Sequence, residues 1–270
     1  MTAIEGRLYN HTVKVLEIYQ NEIYGRLWLP ENTRADEKPP LVIMSHGLGD
    51  NHAYDKEGFA FLAENGIAVF SFDFKSGSAV INENKSGPAY PGMSVVTEAG
   101  DLAEVINMAA DWDFTDNRRI ALMGYSQGGF VTALAAAELP EELRSHIKCL
   151  LLLYPGFSLA DMVKSMFGVP ENIPDSFGLF EDFITVKRNY AADIWDIPIY
   201  EVIKAFTGPV LIIHGDSDLK VPLSYSERAA EAYENCRLTV IKNQEHGFGI
   251  CRTPEIQNEI LNFLREQLLG

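Results

Sequence analysis

Gly124-Tyr125-Ser126-Gln127-Gly128 is the stretch that decides how this 270-residue chain folds. It follows the apolar run Ile120 to Met123 and precedes a helix-like run from Phe130 to Leu139. Because glycine lacks a Cβ, the two glycines let a strand and a helix cross closely while the serine between them points outward. The pattern therefore predicts a sharp strand-to-helix turn that exposes the Ser126 hydroxyl.

Short apolar runs recur along the chain, and helical patterns separate them. Unbroken apolar runs are typical of strands that are buried on both faces. The runs are Leu41–Met44, Ile67–Phe72, Ile120–Met123, Cys149–Leu153, Val210–Ile213 and Leu238–Ile241. The helical patterns are Tyr54–Glu64, Val95–Trp112, Phe130–Leu139, Ser224–Tyr233 and Pro254–Leu269. This alternation predicts an α/β fold with a mostly parallel central sheet and helices on both faces.

Two segments depart from the alternation. Val13–Tyr19 and Ile23–Leu29 alternate apolar and polar residues on either side of a polar turn, which predicts an antiparallel hairpin. Residues 156–204 show no convincing strand-helix unit and are rich in aromatic residues, as lids and binding loops inserted in compact domains are. We therefore expect a single domain, residues 1–270, with a lid at 156–204. A peripheral mini-core that binds no ligand is the alternative for this segment.

A serine on such a turn needs a base to remove its proton and an acid to orient that base. In folds with this turn, the acid and then the base follow the serine along the chain, on loops at the carboxyl ends of strands. Asp218 follows the run ending at Ile213, and His246 follows the last apolar run. Motif spacing favours Asp218 as the acid. Asp216 is the alternative, because it lies nearer the strand end, where it could also cap the turn.

The other histidines are placed less well for this chemistry. His11 precedes the hairpin, and His146 lies in a polar loop. We expect His52 at the surface or at a pocket rim and His214 beneath the loop that carries Asp218. His246 is therefore the candidate base, with a buried structural histidine as the alternative reading of that residue.

Attack by a serine builds negative charge on an oxygen of the substrate, and two amide donors are needed to stabilise it. The backbone N–H of Gln127, which opens the helix after the serine, is one candidate. Leu48, within Ser45-His46-Gly47-Leu48-Gly49, is the other, because this loop follows a strand and its glycines allow it to bend back towards Ser126. The same glycines could instead be ordinary turn residues.

Composition excludes several other classes of protein. A net charge of −16 argues against a nucleic-acid or anionic-membrane partner, which needs clustered Lys and Arg. Three cysteines, with no close pair, indicate neither a disulfide framework nor a metal site. The N-terminus lacks a basic start and an apolar stretch, and no segment has membrane-spanning length, so we expect a cytoplasmic protein. The sequence leaves a homodimer open.

With these residues in order, the chain resembles serine α/β hydrolases along nearly its whole length. Within that family its second half is similar to the bacterial cinnamoyl and feruloyl esterases. The motifs that carry the resemblance are Ser126-Gln127-Gly128-Gly129, Ile197-Pro198-Ile199-Tyr200-Glu201-Val202, His214-Gly215 with Asp218, and Glu245-His246-Gly247-Phe248. The chain departs from the pattern in two places: Tyr125 stands where those relatives often have histidine, and Phe74-Lys75-Ser76-Gly77-Ser78 replaces their usual Gly-rich turn after Asp73.

The resemblance implies a carboxylic-ester hydrolase that forms an acyl-enzyme on Ser126 and uses no cofactor or metal. Its substrates would be small esters with an aromatic acyl part, such as hydroxycinnamates. In these esterases a lid tyrosine bonds the para hydroxyl of the acid, and Tyr190 occupies the matching position. Asp161 corresponds to a lid aspartate that shares this contact. The alternatives are a lipase-like or thioester hydrolase acting on short acyl chains and a catalytically silent binding protein.

Overall fold

The computed structural model describes residues 2–8, 11–31, 38–75, 92–180 and 184–270. The strands of its main sheet and of a small hairpin are β1 (Thr2–Leu8), β2 (His11–Gln20), β3 (Ile23–Pro30), β4 (Leu41–Ser45), β5 (Ala68–Phe72), β6 (Ile120–Tyr125), β7 (Ile147–Leu153), β8 (Ser176–Leu179), β9 (Ile184–Lys187), β10 (Val210–Gly215) and β11 (Cys236–Ile241). The helices are α1 (Lys56–Glu64), α2 (Val95–Ala110), α3 (Gln127–Glu138), α4 (Glu141–Arg144), α5 (Leu159–Phe167), α6 (Arg188–Ile194), α7 (Ile199–Val202), α8 (Leu223–Ala232) and α9 (Pro254–Leu268).

Across the described ranges, nine strands form one sheet in the order β1-β2-β3-β5-β4-β6-β7-β10-β11. The first three strands are antiparallel to their neighbours, and the six from β5 to β11 are parallel to one another. The predicted α/β fold with a mostly parallel sheet is therefore confirmed. The predicted hairpin is also confirmed, since β2 pairs with β3 and Asn21 and Glu22 turn between them with positive φ.

Side chains of the parallel strands alternate between two hydrophobic cores. On β4, Leu41 and Ile43 belong to one core, and Val42 and Met44 belong to the other. The first core also contains apolar residues of α2, α3 and α8, and the second contains those of α1 and α9. Helices therefore cover both faces of the sheet, which explains why these strands read as unbroken apolar runs.

The order of the strands creates a crevice at one edge of the sheet. After β4 the chain moves to one side to form β5, and it then returns to the other side of β4 to form β6. The loops that leave β4 and β6 therefore turn in opposite directions, which is where α/β sheets bind ligands. The residues after β4 and β6 lie together there, since Ser45 pairs with Gly124.

Element boundaries differ from the predicted ones where local hydrogen bonds decide them. The first helix begins at Lys56 rather than Tyr54, because the Asp55 side chain caps it by accepting from the Gly58 amide. The helix after the serine begins at Gln127 rather than Phe130, so its first turn contains two glycines that a propensity argument places outside a helix. Strand β1 was not predicted, because no periodic apolar pattern marks it.

The segment 156–204 contains α5, the antiparallel β8–β9 hairpin, α6 and α7, and residues 181–183 within it lie outside the described ones. Its buried apolar side chains, including Val163, Leu179 and Ile194, belong to the same core that α2 and α3 fill. The segment therefore packs against the main domain through a shared core.

No helix among the described residues has both the length and the apolar character needed to cross a bilayer.

The shared core gives a direct test of the fold. Leu152 is fully buried on β7, so truncating it to alanine should lower the free energy of unfolding by about 3 kcal/mol. Leu219 is 95% exposed and provides a control with the same chemistry: Leu219→Ala should change the free energy of unfolding by less than about 0.5 kcal/mol. Urea denaturation measures both. Equal losses in the two variants would contradict the placement of β7 in the sheet.

Candidate active site

Ser126 lies at the crevice on a strained turn between β6 and α3. Its backbone has φ 51° and ψ −119°, a conformation that a residue with a side chain rarely adopts. The strain persists because backbone bonds fix the residue: its N–H donates to Leu153 O at 3.0 Å, and its carbonyl accepts from Gly129 N and Gly156 N at 2.9 and 2.7 Å. The predicted turn is present at this position.

Two glycines allow the turn to be this tight. A Cβ on Gly124 would lie 2.2 Å from the carbonyl oxygen of Gly128, and a Cβ on Gly128 would lie 2.3 Å from that of Ser45. Both distances are shorter than any van der Waals contact, so only glycine fits at either position. This close approach brings the helix start and the loop after β4 to either side of the Ser126 side chain.

Three polar side chains from separate loops form one hydrogen-bonded chain. Ser126 Oγ lies 2.9 Å from His246 Nε2, and His246 Nδ1 lies 2.6 Å from Asp218 Oδ2. Asp216 lies elsewhere, because its exposed carboxylate accepts from Asn243 N at 2.6 Å. The structure therefore brings together Ser126, His246 and Asp218 of the predicted residues, and it separates Asp216 from them. A chain of this kind can withdraw the serine proton.

Asp218 is held as a carboxylate by its neighbours. Burial alone would raise its pKa, but hydrogen bonds from His214, His246 and the Val221 amide outweigh burial and hold the pKa well below its usual range. His214 contributes through Nε2, which lies 3.1 Å from Asp218 Oδ2, while its Nδ1 lies 2.7 Å from Ser226 Oγ. His214 thus packs beneath the Asp218 loop, as the sequence predicts.

His52 does not lie at the surface or at a rim, so that prediction is wrong. Its side chain is fully buried, and its Nδ1 lies 2.8 Å from the Asp73 carboxylate, which also accepts from the His52 amide at 2.7 Å. The polar neighbours of His52 in the sequence suggested an exposed loop. Burial is tolerated because the carboxylate satisfies two donors of this residue.

Ser126 and His246 open onto a cavity of about 1070 Å³. One part of its wall comes from the loops after β4, β6, β7 and β11, and another part comes from α5 and the start of α8. Asp161 lines the second part, and its Oδ2 accepts from the Tyr225 hydroxyl at 2.9 Å. Tyr225 was not singled out in the sequence, because nothing in a helical pattern marks one tyrosine as facing a cavity.

Comparison with known families agrees with this geometry. The model of the alpha/beta hydrolase fold family matches residues 86–250. The chain belongs to the α/β-hydrolase family. The model of the acetyl xylan esterase family matches residues 6–162, so this hydrolase also belongs among those esterases.

Solved structures and curated proteins include similar chains. Est1E from Butyrivibrio proteoclasticus superposes with a TM-score of 0.74 at 26% identity, over 95% of this chain and 99% of its own. The structure of ferulic acid bound to Est1E superposes with a TM-score of 0.75 at 27% identity, over 96% of this chain and 97% of that one. The uncharacterized protein YfhR of Escherichia coli O157:H7 is 25% identical over 89% of this chain and 76% of its own. Together with the esterase family, these similarities identify the chain as a serine carboxylic-ester hydrolase.

The two predicted amide donors of this hydrolase lie beside the serine. Leu48 and Gln127 both line the cavity with Ser126. Over the described part of the chain, neither backbone N–H donates to another backbone group. Both amides are therefore available to an oxygen bound at Ser126, as an oxyanion site requires.

A buried network fixes the Gln127 side chain behind the serine. Its Nε2 donates to Glu98 Oε2 at 2.8 Å, and its Oε1 accepts from the Tyr190 hydroxyl at 2.7 Å. Burial raises the pKa of Glu98 to about 8, although the hydrogen bond from Gln127 opposes the rise. Glu98 is therefore an uncharged acid at neutral pH, and the network joins α2, α3 and α6 without a buried charge.

This network also shows where Tyr190 lies. Its side chain is 1% exposed, it is absent from the cavity wall, and its hydroxyl proton is engaged by Gln127. The structure brings Asp161 to the cavity but does not bring Tyr190 there. The family resemblance implies a substrate contact for Tyr190, whereas the structure places Tyr190 on α6 with its hydroxyl donating to the Gln127 side chain.

Tyr125, one of the residues that depart from the family pattern, has a structural partner. Its hydroxyl donates to the buried Asp55 carboxylate at 2.7 Å, and the same carboxylate accepts from Ile250 N at 2.7 Å. Asp55 thereby joins the strand before the serine, the start of α1 and the segment after His246.

Among the described residues, no three His, Cys, Asp or Glu side chains are grouped as they would be around a metal ion.

The raised pKa of Glu98 predicts how stability depends on pH. The unfolded chain ionises Glu98 near the ordinary value of 4.5, whereas the folded chain keeps the proton up to about pH 8. Between these values the folded state binds more protons, so this group stabilises the fold at low pH and the stabilisation is lost as pH rises. Glu98→Gln should therefore reduce the fall in unfolding free energy between about pH 5 and about pH 8 by roughly 3 kcal/mol.

Denaturant titration at several pH values checks this prediction. Tyr190→Phe is the matched control, because it removes one hydrogen bond of the same network and leaves the Glu98 carboxyl in place. It should lower the free energy of unfolding by about 1 kcal/mol at every pH and keep the wild-type dependence of that free energy on pH. If the free energy of unfolding of Glu98→Gln depends on pH as that of the wild type does, Glu98 is ionised in the folded state.

Proposed function

We propose that this enzyme hydrolyses esters of hydroxycinnamic acids through an acyl-enzyme formed on Ser126. The observation that carries the proposal is the hydrogen-bonded chain from Ser126 through His246 to Asp218, which opens onto a cavity with a polar pair, Asp161 and Tyr225, in its wall. The similarity to Est1E, whose structure is known with ferulic acid bound, supports the same substrate class.

Each step follows from the placement of these groups. His246 Nε2 accepts the proton of Ser126 Oγ as the oxygen attacks the ester carbonyl, and Asp218 holds the other ring nitrogen protonated. The carbonyl oxygen becomes negative and accepts hydrogen bonds from the amides of Leu48 and Gln127. His246 then protonates the departing alcohol, and a water molecule activated in the same way releases the acid. The residues named here supply every proton transfer.

The acyl part is proposed to lie against α5 and α8. Leu159 and Met162 offer an apolar surface to an aromatic ring, and the Asp161–Tyr225 pair lies on the same wall. Asp161 accepts from Tyr225 through Oδ2, so its other oxygen remains able to accept from a phenol. A cavity that is mainly apolar with a few polar groups suits a planar phenolic acid.

Tyr190 is proposed to act through Gln127 rather than on the substrate. Its hydrogen bond with the Gln127 side chain steadies the first residue of α3, whose amide faces the oxyanion.

We propose in the same way that residues 156–204 are the lid of this enzyme, because Gly156, Leu159, Met162 and Phe180 of that segment line the cavity. A cytoplasmic location and a homodimer stay predictions.

Acetyl esters are the second candidate substrates. The match of residues 6–162 to the acetyl xylan esterases favours them, since that family is named for a short acyl group. The volume of about 1070 Å³ favours the larger acyl group, because an acetyl group would leave most of the cavity unfilled. The ratio of kcat/KM for methyl ferulate and an aryl acetate separates the two classes.

Removing the nucleophile tests the assignment of Ser126. Ser126→Ala should lower kcat for methyl ferulate by at least about a thousandfold, because it removes the oxygen that lies 2.9 Å from His246 Nε2 and forms the acyl-enzyme. The variant should also lose covalent labelling by a fluorophosphonate probe while its circular dichroism spectrum stays unchanged. Ser145→Ala, an exposed serine before β7, is the control and should retain full activity. Substantial turnover by Ser126→Ala would overturn the assignment.

The proposed phenol contact has its own test. Asp161→Asn should lower kcat/KM for methyl ferulate about tenfold and leave methyl cinnamate, which has no phenolic hydroxyl, nearly unchanged, because the lost interaction is a hydrogen bond to a charged acceptor. Tyr190→Phe should affect both esters equally, since Tyr190 does not reach the cavity. A selective loss of ferulate in Tyr190→Phe, with none in Asp161→Asn, would restore the direct role that the family resemblance implies.

A further inference from the structure

A carboxyl group that the proposed mechanism does not use lies in the cavity close to the serine. Asp50 is partly buried at the end of the turn after β4, where its amide donates to Gly47 O at 3.1 Å. A Cβ on Gly47 would lie 3.2 Å from Asp50 Oδ2 and 3.4 Å from the Ser126 Cβ, so the carboxyl and the serine flank the same residue. No described residue donates a hydrogen bond to the Asp50 carboxyl, which leaves it free to interact with a substrate.

Two tyrosines line the cavity together with Asp50 and the imidazole. The hydroxyls of Tyr54 and Tyr154 lie 2.8 Å apart, and the Tyr154 ring packs edge-on against the His246 ring with centroids 4.7 Å apart. Burial raises the pKa of Tyr54 to about 12, and the negative charge of Asp50 adds to the rise. Burial likewise raises the pKa of Tyr154, and Asp50 contributes again. Asp50, Tyr54, Tyr154 and His246 all line this cavity, and we call these four residues the imidazole-side wall.

The chemistry of the reaction assigns this wall to the alcohol half of the ester. His246 must protonate the departing oxygen, so the alcohol leaves along the imidazole side of Ser126. The acyl half is proposed to lie against α5 and α8. This step rests on the proposed function, and it makes the imidazole-side wall the part of the enzyme that meets the alcohol.

We propose that Asp50 selects among substrates by the charge of their alcohol half, disfavouring esters of anionic alcohols and favouring those of neutral, hydroxylated or cationic alcohols. A carboxylate so near the reacting centre repels a second carboxylate through a partly desolvated medium, where the repulsion is stronger than in bulk water. A neutral polyol can instead donate hydrogen bonds to it. Esters of sugars therefore suit this wall, and esters of hydroxy acids do not.

The selection should depend on pH. Burial raises the pKa of Asp50 to about 7, although the positive charge of Lys220 lowers it. The titratable and charged groups that interact electrostatically with Asp50 are Tyr54 before α1, Tyr154 after β7 and Lys220 after β10, and His246 after β11 lines the same cavity. The carboxyl is uncharged below about pH 7 and negative above it, so discrimination against anionic alcohols should increase as pH rises through that value.

The test uses two esters with the same acyl half, methyl caffeate and chlorogenate, whose quinate alcohol carries a carboxylate. The ratio of kcat/KM for chlorogenate to that for methyl caffeate cancels every effect of pH on the chemical steps that the two esters share and every effect on the acyl half. In the wild-type enzyme this ratio should fall about tenfold as pH rises through about 7. Asp50→Asn should keep the high ratio at every pH. Lys220→Gln should retain the fall of this ratio with rising pH and move its midpoint to higher pH, because the variant removes the charge that lowers the pKa of Asp50.

The outcomes separate this inference from the proposed function. If the wild-type enzyme turns over neither caffeoyl ester, the proposed function fails. If it turns over both and the ratio is the same at every pH and in Asp50→Asn, the proposed function stands and the role of Asp50 is refuted. If the fall of the kcat/KM ratio with rising pH persists in Asp50→Asn and is lost in Lys220→Gln, the selection belongs to Lys220 instead.

Discussion

The close contact of three backbone segments at Ser126 is the constraint on which the rest of the site depends. Strand β6, helix α3 and the loop after β4 approach so closely that carbonyl oxygens occupy the places where side chains of Gly124 and Gly128 would be. Backbone bonds to Ser126 hold its strained conformation against relaxation. A wider turn would separate the serine hydroxyl from His246 and the Gln127 amide from the oxyanion position at the same time.

Carboxyl groups around the serine show how environment, rather than residue type, decides their charge. Asp218 is ionised because two histidines and a backbone amide donate to it. Glu98 stays protonated because burial outweighs a single hydrogen bond from an uncharged amide. Burial also raises the pKa of Asp55, and hydrogen bonds from the Ile250 amide, the Tyr125 hydroxyl and the Gly58 amide oppose that rise. The site thus keeps a charge where the imidazole needs one and removes it from the supporting network.

Much of this arrangement could be predicted from the sequence, because short-range patterns determine it. The parallel strands appear as apolar runs since both faces are buried, and the chain order of Ser126, Asp218 and His246 follows from the turn and the strand ends. Which side chains from distant segments face one another, or face the cavity, could not be predicted. Whether Tyr190 points to a cavity or to Gln127 depends on helix rotation, and Tyr225 and Asp50 acquire meaning only when distant segments meet at one cavity. The burial of His52, which the sequence predicts at the surface or at a pocket rim, depends on a partner, Asp73, that is 21 residues away.

The hydrogen bond between Tyr190 and Gln127 has a consequence for protein engineering. Exchanging the inserted segment of one hydrolase for that of another is an obvious way to alter which acids are accepted. Here such a chimera would also replace the hydroxyl that donates to the side chain of Gln127, the residue after the nucleophile. If the proposed role of Tyr190 holds, a graft with no tyrosine at this position should lower turnover on all esters alike, so the recipient's Tyr190 should be retained in the transplanted sequence.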